Sequence, residues 1–196
     1  MRKGDITREM IIKKTVPLFN RYGYFGSSVS DIMAATGLKK GGIYNHFKSK
    51  DELALKAFDY AVEEMSRHYA QALQGKTTVL EQIEALFSVY EDIENPPIEG
   101  GCPLLNTAIE SDDAHQVLLK RVQQAMDRWL SLIRYILLRG IKRKELRPDL
   151  EVEEIASFIT SSFEGAIMLS KLYNDSSHLQ RTKRQVIEHI KNYLIL

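Results

Sequence analysis

An all-helical protein is what this sequence predicts, and three observations carry the prediction. Helix-start and helix-stop residues recur along the whole chain, apolar residues fall at spacings of three and four, and extended runs of alternating polarity are missing. About nine helices are expected. They form a small N-terminal three-helix domain containing a helix-turn-helix, followed by a larger helical domain.

The first helix is expected over residues 7 to 22, with Met10, Ile11, Lys14, Leu18 and Phe19 at helical spacing and Gly23 as a left-handed cap residue. Pro17 removes one backbone bond inside it and predicts a slight kink. Ser28 followed by Asp31 reads as a capping box for a short second helix ending at Thr36-Gly37. A third helix of about two turns spans Lys40 to Phe47. Ser49 with Glu52 then opens a long connecting helix from Lys50 to about Leu73, which Gly75 and Lys76 break.

Thr78 with Glu81 repeats the capping device, and Val79, Ile83, Leu86, Phe87, Tyr90 and Ile93 mark a buried stripe. The Asn-Pro-Pro at 95 to 97 stops that helix. The loop "IEGGCPLLN" leads into a short helix near 103 to 111. Asp112 or Asp113 is expected to cap a long helix reaching about Arg143, with Leu118, Val122, Ala125, Trp129, Ile133, Ile136 and Leu137 inward. "ELRPD" reads as a turn, and helices over 151 to 173 and 178 to 195 close the chain. Residues 1 to 50 are taken as the first domain, with its motif at 28 to 47, and residues 75 to 196 as the second.

The net charge of +1 hides an asymmetry. Residues 1 to 50 carry ten Lys/Arg against Asp5, Glu9 and Asp31, a local +7, while the remainder carries 17 basic and 23 acidic residues. A small basic module that meets a polyanion, joined to a body that does not, fits this split; so does a solvated basic face. No apolar run approaches the roughly 20 residues that span a bilayer. "MRKGDITREM" lacks the apolar core of a signal peptide, and a single cysteine, Cys102, suits a reducing compartment, so a soluble cytoplasmic protein is expected. The five histidines are scattered, and neither a P-loop nor a G-x-G-x-x-G motif is present. The expectation is therefore of no enzyme, no metal site and no cofactor.

"SVSDIMAATGLKKGGIYNHF" reads as two short helices about a tight glycine-containing turn. Ile32, Met33, Leu38, Ile43 and Phe47 are spaced to bury one face. Lys39, Lys40, Gly41, Gly42, Tyr44, Asn45, His46 and Lys48 are left outward, a set suited to a phosphate backbone. Each glycine costs a helix about 1 kcal/mol, and close approach of main chain to a groove is a reason to accept that cost. An ordinary helical hairpin with a flexible corner is the plainer alternative.

The stretch "GYFGSSVSDIMAATGLKKGGIYNHFKSKDEL" resembles the TetR/AcrR family of bacterial transcriptional repressors over about the first 60 residues. The matching positions include Phe19, Gly23-Tyr24, Ser28-Val29, Asp31-Ile32, Gly37, Lys40-Gly41, Ile43-Tyr44, His46-Phe47, Lys48, Lys50 and Leu53. The resemblance implies a homodimer that binds a palindromic double-stranded operator and is released by a small-molecule effector held in the C-terminal domain. By position, Tyr44, His46, Lys50 and Ser28 would hold phosphates, and Ser30, Lys39, Lys40, Gly42 and Asn45 would meet base edges. Lys39 stands where many relatives have a serine cap, and Gly42 replaces a frequent Thr or Ser. A helical protein-interaction module without DNA binding is the competing function.

In the C-terminal domain Ser157, Ser161 and Gly165 recur at i, i+4 and i+8, beside Phe158, Leu169 and Leu172. With Val186, Ile187, Ile190, Tyr193 and Leu194 on the last helix they would build a four-helix bundle between two copies. The same faces would serve equally for packing within one chain, and the resemblance favours the dimer. Tyr90, Met126, Trp129, Tyr135, Phe163 and Met168 are candidate pocket residues on inward faces, suited to an apolar or amphipathic effector. Cys102 precedes a helix whose dipole would favour thiolate, so it reads either as a sensor of electrophiles or oxidants or as an inert space-filling thiol.

Overall fold

The structure, a computed structural model, describes residues 2 to 111 and 115 to 195, without the side chains of 193 and 194. Nine α-helices are found among the described residues. They are α1 (Lys3–Gly26), α2 (Val29–Thr36), α3 (Lys40–Tyr44), α4 (Lys50–Ala72), α5 (Val79–Ser88), α6 (Pro103–Ser111), α7 (Gln116–Lys142), α8 (Val152–Tyr173) and α9 (Ser177–His189). A π-helical turn, Ile190–Leu194, continues α9. Asp112 and Asp113, expected to cap α7, lie outside the described residues.

The chain divides into two compact units, Met1–Met65 with Ile98–Gln123, and Ser66–Pro97 with Gln124–Leu196. The segment Ile98–Gln123, expected with the C-terminal domain, packs in the first unit. Polar contacts with α1 hold it there. The Asn20 amide donates to the carbonyls of Glu99 and Gly101 at 2.8 and 2.9 Å, and the Asn106 amide donates to the Asn20 carbonyl at 3.0 Å. Asn20 is buried, so these bonds satisfy a group whose desolvation would otherwise be costly.

Within the first unit, Ile11, Ile12 and Val16 of α1 are buried with Ile32, Ile43, Phe47, Leu53 and Phe58. The α1 helix begins earlier than its apolar periodicity suggests, because the Asp5 carboxylate accepts the Arg2 N–H and caps a first turn whose apolar residue, Ile6, stays exposed. Gly23 is not the left-handed cap expected. Its φ of 79° and ψ of 168° break the helix, and a final turn follows to Gly26. The second helix starts and stops as the sequence reads, between the Ser28–Asp31 capping box and Gly37 in the left-handed region. The third helix is shorter than expected. It ends at Tyr44, and the Ile43 carbonyl accepts both the His46 and the Phe47 N–H, tightening the chain out of α-helical register.

In the second unit, Thr78 and Glu81 open α5. The backbone N–H of Thr78, then that of Thr77, pull the Glu81 carboxyl down to about 2. This helix also stops short of its apolar stripe, at Ser88 rather than near Ile93. The Asp92 carboxylate captures the N–H groups of Glu94 and Asn95 at 3.1 and 3.0 Å, and that local turn outcompetes the helix. The core is aromatic: the Phe163 ring lies 4.9 Å from Phe87, 5.9 Å from Tyr90 and 5.3 Å from Trp129, the last pair stacked at 17°. The Trp129 indole N–H donates to the Thr160 hydroxyl at 3.1 Å, which satisfies its one polar atom.

Gly140 allows α7 to close against the start of α5. A Cβ built there would stand 2.3 Å from Val79 Cγ2 and 3.0 Å from Leu146 Cδ1. Gly140→Ala is therefore expected to destabilise the protein by about 1–3 kcal/mol through overpacking, despite alanine's better helix propensity, and urea unfolding at equilibrium measures it. A stabilised variant would mean that the α5–α7 packing yields freely.

Candidate nucleic-acid interface

The candidate surface is built on α2 and α3. Ser28 turns its hydroxyl to Asp31: its Oγ accepts from the Asp31 N–H at 3.2 Å, and its N–H and hydroxyl each donate to Asp31 Oδ2 at 2.7 Å. Those bonds, the hydroxyl's first, hold the Asp31 carboxyl below the usual carboxylate range. Gly37 closes α2 with φ at 73° and its N–H on the Met33 carbonyl. The Lys39 side chain makes no capping hydrogen bond to α3.

Ile43 and Phe47 are 3% and 1% exposed and anchor α3 to the unit's core. Lys39, Lys40, Gly41, Asn45 and Lys48 are exposed, as are Ser28 and Ser30, while Gly42, Tyr44 and His46 are half-buried. Among the described residues no carboxylate forms an ion pair with Lys39, Lys40 or Lys48. Lys40 Nζ lies 6.0 Å from the Tyr44 ring centroid. The two glycines answer no need of the chain itself. A Cβ at Gly41 would meet nothing within 4 Å, one at Gly42 would make ordinary contact with Leu38, and neither has a positive φ.

Lys50 is placed differently from its expected phosphate role. Its ammonium donates to the Tyr24 carbonyl at 2.5 Å and sits 4.2 Å from the centre of the Tyr24 ring. The Tyr24 hydroxyl is hydrogen-bonded to Asp51, and the His115 ring meets the Tyr24 ring edge-on at 5.0 Å. Burial, then the Asp51 bond, push the Tyr24 phenol up to about 12, so it stays a neutral donor. The Lys48 N–H is accepted by the Glu52 carboxylate at 2.7 Å, which opens α4. Arg8 stands over the Phe47 ring and pairs with Glu52, tying α1 to the same corner.

The residues expected around an effector do not form one group. Tyr90, Trp129 and Phe163 are buried together in the second unit, and Met126 is half-buried there. Tyr135 and Met168 are not on inward faces: they are 53% and 46% exposed, because each falls on the outer side of its amphipathic helix. Cys102 belongs to the first unit, where it is buried and its carbonyl accepts the Asn106 N–H at the start of α6. A cleft of about 230 Å³ in the second unit is lined by Val79, Leu80, Leu146 and Ile190 and includes none of the expected pocket residues.

Of the residues expected between two copies, Ser157, Ser161, Gly165 and Leu169 lie on the outer side of α8, exposed or half-buried. Phe158, Met168 and Leu172 stand exposed with them, and a Cβ at Gly165 would meet nothing within 4 Å. Ile187 and Ile190 are already buried inside the one chain, since α9 turns its apolar stripe toward the core of its own unit. The outer side of α9 is polar, with Arg181, Arg184, Gln185 and Glu188. The Leu194 side chain lies outside what the structure describes.

Two sequence families match the chain. "Bacterial regulatory proteins, tetR family" covers residues 11–57, and "Tetracyclin repressor-like, C-terminal domain" covers residues 79–186, more than half of the chain. A TetR transcriptional regulator from Chloroflexus aurantiacus is 43% identical over the full length of both chains, with a TM-score of 0.95. A TetR family regulator from Cytophaga hutchinsonii is 34% identical, covering all of this chain and 98% of that one, at 0.94. The transcriptional repressor DhaR of Mycobacterium sp. (strain GP1) is 24% identical over 92% of this chain and 90% of its own.

Because the Ser28 hydroxyl is committed to the cap, Ser28→Ala should cost roughly 1 kcal/mol of stability, and Ser28→Thr should recover most of it in a urea titration. An unchanged midpoint for Ser28→Ala would leave the hydroxyl without a structural role.

Proposed function

The chain belongs to the TetR family of bacterial transcriptional regulators, and on that premise we propose a dimeric repressor that binds a palindromic operator and lets go when a small molecule occupies its C-terminal region. The observation that carries the DNA-contacting surface is Gly41-Gly42. Two glycines weaken a five-residue helix without any crowding or backbone conformation in the chain that asks for them. Their bare main chain serves a partner outside the molecule, and the lysines beside them give that partner's charge as negative.

In this reading α3 enters the major groove. Asn45, Lys39, Lys40 and Ser30 meet base edges, Gly41 and Gly42 admit the backbone, and Tyr44, His46 and Lys48 hold phosphates. Ser28 and Lys50 take supporting roles, fixing the start of α2 and the Tyr24 corner. The exposed stripe of α8, from Ser157 and Phe158 through Ser161, Gly165 and Met168 to Leu172, is the surface we assign to the second copy. A symmetric pair of such faces matches the palindromy of the operator.

An effector entering beside Phe163 replaces ring contacts with Tyr90 and Trp129, so an apolar or aromatic molecule fits best. It acts by shifting the population away from the operator-binding conformation. The name of the repressor DhaR supports repression over activation. Among the described residues no helix is long and apolar enough to cross a membrane. A cytoplasmic, nucleoid-bound regulator without catalytic activity completes the proposal.

Fluorescence anisotropy against salt concentration tests it. Wild-type protein should show a steep loss of affinity with salt, and Lys48→Ala should lower the slope by about 1, the signature of one lost phosphate contact. Affinity independent of salt would favour a protein-interaction module instead. Asn45→Ala should cost about 1–3 kcal/mol on the operator and little on a scrambled duplex. Equal losses on both would remove Asn45 from base reading.

A further inference from the structure

The C-terminal end of α1 is held by α6 through two rungs. Asn106 and Glu110 stand four residues apart on α6, and they meet Asn20 and Tyr24, four residues apart on α1. The first rung joins amide to backbone and amide. The second joins a carboxylate to two backbone N–H groups: Glu110 Oε2 accepts from Tyr24 at 2.7 Å and Oε1 from Phe25 at 2.8 Å. Hydrogen bonds to an ionised acceptor are about twice as strong as neutral ones, so the second rung is the stronger.

The chain also reserves the space for that carboxylate. A Cβ at Gly23 would stand 2.4 Å from Glu110 Oε1, and the residue's φ of 79° is one that side chains rarely adopt. Downstream, the Gly23 carbonyl accepts the Ser27 hydroxyl at 2.6 Å, Ser27 is buried, and Ser28 is the cap of α2. From the other side, Lys50 and Asp51 of α4 hold the carbonyl and hydroxyl of Tyr24. The turn that launches the helix-turn-helix is thus clamped between α4 and a carboxylate 86 residues away in sequence.

We propose that Glu110 is a positioning residue for DNA binding: its carboxylate holds the Gly23–Phe25 turn in the geometry from which α2 and α3 reach the operator. This rests on reading α3 as the DNA-contacting helix. Glu110 touches no base or phosphate. It fixes where the residues that do so stand, so its loss lowers discrimination between sequences while leaving phosphate attraction intact. A carboxylate that merely stabilised the fold would change unfolding and leave the preference among duplexes alone.

The test uses full-length wild-type, Glu110→Ala and Glu110→Gln proteins. A duplex is first selected by the wild type from a randomised pool, and affinities are then measured for it and for a scrambled duplex of the same length. Amide exchange at Tyr24 and Phe25 is followed in parallel. Glu110→Ala should speed exchange at both amides and weaken the selected duplex by about tenfold, with the scrambled duplex within about twofold of wild type. Glu110→Gln keeps one acceptor oxygen and should fall between. Faster exchange in either variant with an unchanged ratio of selected to scrambled affinity would overturn the proposal, as would unchanged exchange. A wild type that retains no duplex at all would instead overturn the DNA-binding surface, and the proposal with it.

Discussion

A helix of five residues cannot hold itself together in water, and the rest of the proposed DNA-contacting surface depends on how α3 escapes that limit. One turn of backbone hydrogen bonds does not repay the ordering of the residues that make it, and Gly41 and Gly42 make the balance worse. The stabilisation comes from the other face, where Ile43 and Phe47 are buried with Ile32 and α1's Ile11 and Ile12. Two anchors on one side leave the opposite side free of structural duty. That division is why cations, a carboxamide and bare backbone can share so short a segment.

The two units place their polar groups differently. In the first, side-chain amides and carboxylates bind backbone at helix ends: Asn20, Asn106, Glu110 and Glu52 all act on main-chain groups. Such bonds have strict directions, and they fix one arrangement of chain segments. In the second, the centre is a cluster of rings about Phe163, with Thr160 and Trp129 joined inside it. Ring packing tolerates sliding and reorientation better than a directed hydrogen bond does. A rigid corner under the proposed recognition surface and a more adaptable centre beside the proposed effector site follow from these chemistries.

Much of the fold was legible because its signals are local. The Ser28–Asp31 and Thr78–Glu81 boxes, and Gly37 at the end of α2, each lie within four residues of the bond or turn they specify. Periodicity likewise gave α4 and α8 their extents and α7 its end. What escaped was set at a distance or by competition. Nothing near Gly23 announces a carboxylate arriving from Glu110, and a glycine at the end of an apolar-periodic helix reads first as its cap. Apolar spacing on α9 told which residues share a face but not that Ile187 and Ile190 would turn it inward. The same ambiguity left Tyr135 and Met168 assigned to a pocket when they stand outside. Asp92 ended α5 early by a turn whose strength spacing does not measure.

The open space around Gly41 separates two quantities that mutation usually ties together. Since an added methyl group there meets no neighbour, replacement by a small residue leaves the scaffold intact and even favours the helical state. With α3 in the reading role proposed for it, which sequence is recognised is then free to drift while folding is undisturbed. Duplicated copies of such a gene could acquire new targets through changes at one or two positions of α3, without passing through poorly folded intermediates.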